Sequence, residues 1–132
     1  MIDHVSLGVR DLARATDFYQ QVLGTIGWRL HDAKATEVAF GPPDDWCFFL
    51  YPADPADAIV GARMHLAFRA ADRGVVREFH ALALARGASR VPDRDPDERP
   101  QFGPDYYGGV LRDPDGHAIE VLTRAGERGA LA

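Results

Sequence analysis

A single cysteine, Cys47, among 132 residues excludes an intrachain disulfide, so any fold must hold through its core. With no partner apparent beside it, Cys47 reads as a small apolar strand residue rather than a nucleophile or metal ligand. No apolar run approaches the roughly 18 residues that a membrane-crossing helix needs. The chain also begins almost at once on a strand pattern, without the charged and apolar segments of a signal peptide. A cytoplasmic location with no membrane partner is the expectation. Positive charge is scarce too: fifteen Lys and Arg stand against twenty Asp and Glu, a net charge of −5. No basic cluster stands out locally, and nucleic-acid binding depends on Lys and Arg neutralising phosphates. No nucleic-acid partner is therefore expected. What remains is the composition of an ordinary globular protein, 46% hydrophobic and 27% charged, with the length of one domain that can bury a core.

The most informative positive feature is an internal repeat. His4-Val-Ser-Leu-Gly-Val-Arg-Asp11, followed by Phe18 and Leu23, is echoed by His65-Leu-Ala-Phe-Arg-Ala-Ala-Asp72, followed by Phe79 and Leu84. All four pairs (His4/His65, Asp11/Asp72, Phe18/Phe79 and Leu23/Leu84) are 61 residues apart, which marks two structural modules. If the modules pack as a pseudo-symmetric pair, equivalent residues face each other, and the two histidines form a candidate metal site.

Each module follows one order of elements. In the first, residues 2–9 alternate with period two, Val5, Leu7 and Val9 on one face and His4, Ser6 and Gly8 on the other, which is a strand with one face on a core. Asp11 is placed to cap a helix running to about Leu23, with Ala15, Phe18, Tyr19 and Val22 at helical spacing and Gly24 and Gly27 ending it. Strand segments are expected at 28–31, 36–40 and 46–51, the last two joined by the Gly41–Asp45 turn. In the second module a strand at 63–69 and a helix at 73–86 are followed by strand segments at 89–91, 106–112 and 117–123. Asp113-Pro114-Asp115-Gly116 turns between the last two, and Pro92–Pro104 forms a long polar loop, a lid or simply a mobile segment. The domain thus spans 1–124, as module one (1–52), a Pro-, Asp- and Ala-rich linker (53–62) and module two (63–124), with a flexible tail at 125–132.

The closing strands align as well. Setting 46–52 against 117–123 places Phe49 opposite Glu120 at an offset of 71, the long loop accounting for the extra ten residues. His4, Phe49, His65 and Glu120 are then the four symmetry-related positions. Because Ile119 and Val121 take the core face, Glu120 is expected to share with His4 and His65 the face turned away from the helices. Two imidazoles and a carboxylate, with an apolar fourth position, make the donor set of a facial triad that leaves coordination positions open. Arg69 continues the His65 face and is a candidate clamp for a substrate anion. Tyr106 and Tyr107 precede Gly108-Gly109, where missing side chains leave room for a ligand; either can donate a hydrogen bond to a bound oxyanion. Trp28, Trp46, Phe48 and Phe49 are expected to be mostly core, with Phe49 facing the site, and His31, His80 and His117 to be surface residues.

The chain over roughly residues 1–124 resembles the vicinal oxygen chelate superfamily of glyoxalase I, extradiol dioxygenases, fosfomycin-resistance enzymes and bleomycin-resistance proteins. The resemblance rests on Ile2-Asp3-His4-Val5, Phe18-Tyr19, His65-Leu-Ala-Phe and Asp113-Pro-Asp-Gly-His-Ala-Ile-Glu120. It implies an α+β fold of two tandem β-α-β-β-β modules forming a cupped mixed sheet, with metal inside the cup on His4, His65 and Glu120. It prefers Tyr107, through its strand position, as a catalytic hydroxyl beside Glu120, and leaves Arg69, Phe49 and Tyr106 as substrate-binding residues. Glyoxalase I enzymes carry a fourth ligand at the position of Phe49, which cannot coordinate a metal, so glutathione-dependent glyoxalase chemistry is disfavoured. The His/His/Glu set looks more like the extradiol dioxygenases and suits iron, manganese, nickel, cobalt or zinc.

Three functions compete at this level. The first is a metal-dependent enzyme, isomerase- or dioxygenase-like, on a small oxygen-bearing substrate. The second is a metal-free protein, like the bleomycin-resistance members, that sequesters a small molecule. The third is an interaction module with a vestigial cup. A homodimer is implied by the family and by the prevalence of isologous pairing.

Overall fold

A computed structural model describes residues 1–126; the part of the expected tail from residue 127 onward lies outside the described residues. The chain divides after Gly61 into two compact units.

In the first unit, β1 (Val5–Val9) leads into α1 (Leu12–Gly24), then β2 (Arg29–Ala33), β3 (Val38–Gly41) and β4 (Phe48–Pro52). The Asp11 side chain caps α1 by accepting from the Arg14 amide at 3.0 Å, which satisfies one of the orphan donors of the first turn. The sheet order is β1-β4-β3-β2, with β1 and β4 parallel and the remaining pairs antiparallel. The helix buries Ala15, Phe18, Tyr19, Val22 and Leu23, and β1, β3 and β4 bury Leu7, Val9, Val38, Phe40, Phe48 and Leu50. Tyr19 is central, edge-to-face with Phe18 (4.9 Å) and Phe48 (5.0 Å), the offset that ring quadrupoles favour. The segment after β4 is tied back to this unit: the Ala53 amide donates to the Val9 carbonyl, and the Arg10 guanidinium donates to the Asp54 and Asp57 carbonyls.

The second unit repeats the plan with β5 (His65–Arg69), α2 (Arg73–Ala85), β6 (Ser89–Arg90), β8 (Tyr107–Arg112) and β9 (Ala118–Thr123), and inserts β7 (Asp97–Glu98) and a short 3-10 turn, Pro100–Phe102. Asp72 caps α2 as Asp11 caps α1, accepting from the Val75 amide at 2.9 Å. The order is β5-β9-β8-β6, β5 and β9 being parallel, with β7 paired to β8. Val76, Phe79 and Ala83 of α2 pack with buried Phe68, Leu111, Ile119 and Val121. In the β8–β9 turn, Asp113 accepts from the amides of Asp115 and His117, and Gly116 takes the left-handed conformation (φ +95°) that the reversal requires.

The register verifies the internal alignment unit by unit. Val5 and Ser6 pair with Phe48 and Phe49; their counterparts 61 residues on, Leu66 and Ala67, pair with Ile119 and Glu120. Phe49 and Glu120 therefore occupy equivalent places.

Three expectations are corrected. The 92–104 segment is not wholly irregular loop. It is strapped along β8 by the β7 pairing and by the Val110 amide donating to the Arg94 carbonyl, a two-residue ladder too short to leave a period-two signature. His80 and His117 are buried, 6% and 7% exposed, rather than on the surface; His80 lies where α2 meets the strap, 3.9 Å from Asp95. Trp46 is half exposed in the turn before β4, stacked on His31, instead of contributing to the core.

Candidate metal and substrate site

Directly paired strand residues lie on the same face of a sheet, so the β5, β8 and β9 register decides what shares a face with Glu120. Glu120 pairs with Ala67 on one side and Val110 on the other. His65 and Arg69, two residues either way from Ala67, therefore share its face, and so does Gly108, two residues from Val110. The helix packs on the other face, against Ile119 and Val121.

His65 Nε2 lies 3.4 Å from Glu120 Oε2, with the imidazole half exposed and the carboxylate largely buried. The other carboxylate oxygen, Oε1, accepts a short hydrogen bond from the Tyr106 hydroxyl. Tyr106 is buried, packed edge-to-face against Phe102 at 5.3 Å and lying 5.6 Å beneath the Arg124 guanidinium, which itself donates to the Phe102 carbonyl. Burial, and then the hydrogen bond and charge of Glu120, push the Tyr106 phenol well above its ordinary value. The hydroxyl is consequently a proton donor throughout the neutral range, held on one oxygen of the carboxylate. Gly108 makes this reach possible: a Cβ there would sit 2.7 Å from the Tyr106 hydroxyl oxygen.

The two tyrosines of the Tyr106-Tyr107 pair are thus separated by the pleat. Tyr107 pairs with Thr123 and turns to the helix side, where Arg73 and Arg77 stand 4.9 and 5.8 Å from its ring. Tyr106 is the one brought to Glu120. Arg69 is exposed at the end of β5, in register with Leu122. Phe102 and Arg124, which fix the Tyr106 ring, carry no sequence signal for that role: one sits in the strap and the other just beyond β9.

In the first unit His4 immediately precedes β1 on the face of Ser6 and Phe49. Its ring meets Phe49 edge-on at 5.5 Å, and Nδ1 is 2.7 Å from an Asp3 carboxylate oxygen. A carboxylate on Nδ1 orients a histidine with Nε2 outward, an arrangement common for metal-ligating imidazoles. Among the described residues, no three His, Cys, Asp or Glu side chains gather into a cluster able to hold a metal ion. Cys47 has its thiol pushed up by burial, with Asp45 and Asp3 adding, so it is held in the unreactive protonated form.

Paired β-α-β-β-β units with a histidine opening each and a carboxylate on the last strand define a recognisable α+β class. Residues 1–121 match the family model of the Glyoxalase/Bleomycin resistance protein/Dioxygenase superfamily, and the chain belongs to that superfamily. The structure is similar to that of a glyoxalase/bleomycin resistance protein from Albidiferax ferrireducens T118 (TM-score 0.80, 28% identity, 92% of this chain and 97% of that one). It shares its fold with a glyoxalase/bleomycin resistance protein/dioxygenase family enzyme from Burkholderia phytofirmans PsJN (0.72, 20% identity, 92% and 97%). The fold is also that of the genomically encoded fosfomycin resistance protein FosX from Listeria monocytogenes (0.68, 20% identity, 93% and 92%). No curated protein matches the sequence significantly. No helix among the described residues is long and apolar enough to cross a membrane.

Proposed function

We propose that the chain is a cytoplasmic, homodimeric, metal-dependent enzyme of this superfamily acting on a small oxygen-bearing substrate. His4, His65 and Glu120 are the donors to a divalent ion (iron, manganese, nickel, cobalt or zinc). The observation that carries this reading is the half-open His65–Glu120 pair, whose carboxylate is held by Tyr106. Two donors each about 2.1 Å from one ion lie roughly 3.0 Å apart on an octahedron and roughly 3.4 Å apart on a tetrahedron. The observed 3.4 Å fits that separation. When bound, such an ion supplies Lewis-acid stabilisation of negative charge developing on a chelated substrate.

The protein's own residues do the rest. Tyr106 retains its proton and occupies one oxygen of Glu120, leaving the other directed at His65. Arg69, exposed on the same face, pairs with an anionic group of the substrate. Phe49 provides an aromatic wall beside His4 and no donor, so the fourth place of the symmetric set stays available to substrate rather than to protein. Elemental analysis of untagged protein tests the reading. About one divalent ion per chain, lost on His65→Ala, is expected, because metal affinity depends on each deprotonated donor. Mixing His4→Ala with Glu120→Ala chains reveals whether the donors come from two chains. Recovered metal in the mixture marks an exchanged-module dimer, and no recovery marks a site within one chain.

A second reading has its own support. His65 Nε2 and Glu120 Oε2 already face each other at 3.4 Å, close enough for the two side chains to hold one another without an ion between them. On that reading the protein binds and sequesters a small molecule without metal. Absence of metal after incubation with excess Fe(II), Mn(II), Ni(II) or Zn(II), together with saturable ligand quenching of Trp28 or Trp46, would establish it.

A further inference from the structure

On the face of β8 opposite Glu120, a cleft of about 520 Å³ opens between α2 and the strap that follows β6. That volume falls within the range of roughly 300–1,000 Å³ typical of small-molecule pockets. Its floor holds His80, whose side chain is only 7% exposed and whose Nε2 has no hydrogen-bond partner among the described residues. Native proteins seldom leave such a group unmet. The Asp95 carboxylate stands 3.9 Å away through Oδ1, beyond hydrogen-bonding distance. Asp95 is already occupied, since the Arg90 guanidinium donates to both of its oxygens from Nε and Nη2.

The remaining charge on the rim is positive. Arg77 is exposed, lies against the Tyr107 ring and reaches the Tyr107 hydroxyl only at 3.5 Å. Its neighbour Arg73 is paired with Glu98 at 2.7 Å. With Arg90 matched by Asp95 and Arg73 by Glu98, the Arg77 guanidinium is, among the described residues, the charge left facing the cleft. Leu84 and Pro96 line the rest with apolar surface.

We infer that this cleft binds a small organic carboxylate, its oxygens taken by Arg77, the Tyr107 hydroxyl and the Nε2–H tautomer of His80, its apolar body lying between Leu84 and Pro96. The lining presents unmet donors and one uncompensated cation, which disfavours a cationic ligand. A bare inorganic anion would leave the apolar walls unused. Burial keeps His80 below its ordinary value and so uncharged at neutral pH, as a donor that need not compete with Asp95 for a proton. The site is independent of the metal reading, because β8 separates Tyr107 from Tyr106 and Glu120.

Titration of 15N-labelled protein with sodium benzoate, in parallel with sodium phosphate and benzylamine at matched ionic strength, tests this directly. Saturable shifts confined to the amides around Arg77, His80 and Tyr107 are expected with benzoate alone. Arg77→Met, an exposed change that leaves the core intact, should weaken benzoate about tenfold, equivalent to about 1.4 kcal/mol. His80→Leu should weaken it as well while keeping the helix face filled. Preference for benzylamine, equal response to phosphate, shifts elsewhere or none, or unchanged affinity in Arg77→Met would each overturn the inference.

Discussion

Replacing Gly108 by alanine probes the geometry on which the candidate site depends. A Cβ at this position would stand 2.7 Å from the Tyr106 hydroxyl oxygen, 2.8 Å from Leu122 Cβ and 2.8 Å from the Val121 carbonyl oxygen. Ordinary contacts between such atoms lie near 3.5–4.0 Å, so about 0.7 Å or more must be recovered. Leu122 Cβ and the Val121 carbonyl belong to β9, which is laddered to β8 through this very residue pair. The hydroxyl sits at the end of a ring pinned by Phe102 and Arg124. Overpacking of this kind costs about 1–3 kcal/mol. Losing the Tyr106 hydrogen bond to a charged carboxylate adds about 1.5–3 kcal/mol. Reduced freedom of the unfolded chain returns about 0.5–1 kcal/mol. The net loss is about 1.5–5.5 kcal/mol, centred near 3.5, and for a chain of this size it lowers Tm by roughly 14 °C. Calorimetry on the wild type, Gly108→Ala, Tyr106→Phe and the double variant closes a double-mutant cycle. The alanine should cost less in the Tyr106→Phe background, by about the hydrogen-bond share of 1.5–3 kcal/mol. Strict additivity, or a Gly108→Ala protein that melts with the wild type, would refute the argument that this glycine exists to let the phenol through.

Two further expectations follow from the same structure. Asp72→Ala removes the cap on the Val75 amide and should cost about 1 kcal/mol, with Asp11→Ala matching it in the first unit; equal urea midpoints for variant and wild type would count against the capping account. For His80, burial lowers the ring below its ordinary value of 6.5, Asp95 opposing and Arg90 adding to the effect. The folded state therefore binds this proton less readily than the unfolded chain. The contribution is full above about pH 6.5 and declines as pH falls toward the lowered value. His80→Leu should flatten the fall in urea midpoint between about pH 7 and pH 5, and parallel curves would contradict the assignment.

Much of this molecule was legible in the chain because the signals were local. Period-two alternation placed β1 and β5, Asp11 and Asp72 marked both helix starts, and one offset aligned the modules. The equivalence of Phe49 and Glu120 needed only a second offset, and the strand register reproduces it. The choice between Tyr106 and Tyr107 could not be read this way. A step of one residue moves a side chain to the opposite face of a sheet, and which face each takes is set by long-range pairing with β9. The strap along β8, the clamp of Phe102 and Arg124 on Tyr106, and the burial of His80 are of the same kind. Each arises from segments distant in sequence meeting in space. The amino-acid order by itself determined the two modules and most of their strands and helices, since alternation and helix capping depend on neighbours a few residues apart. Only the tertiary structure decided which hydroxyl reaches the carboxylate and what the other face of β8 presents, because non-local strand pairing sets both.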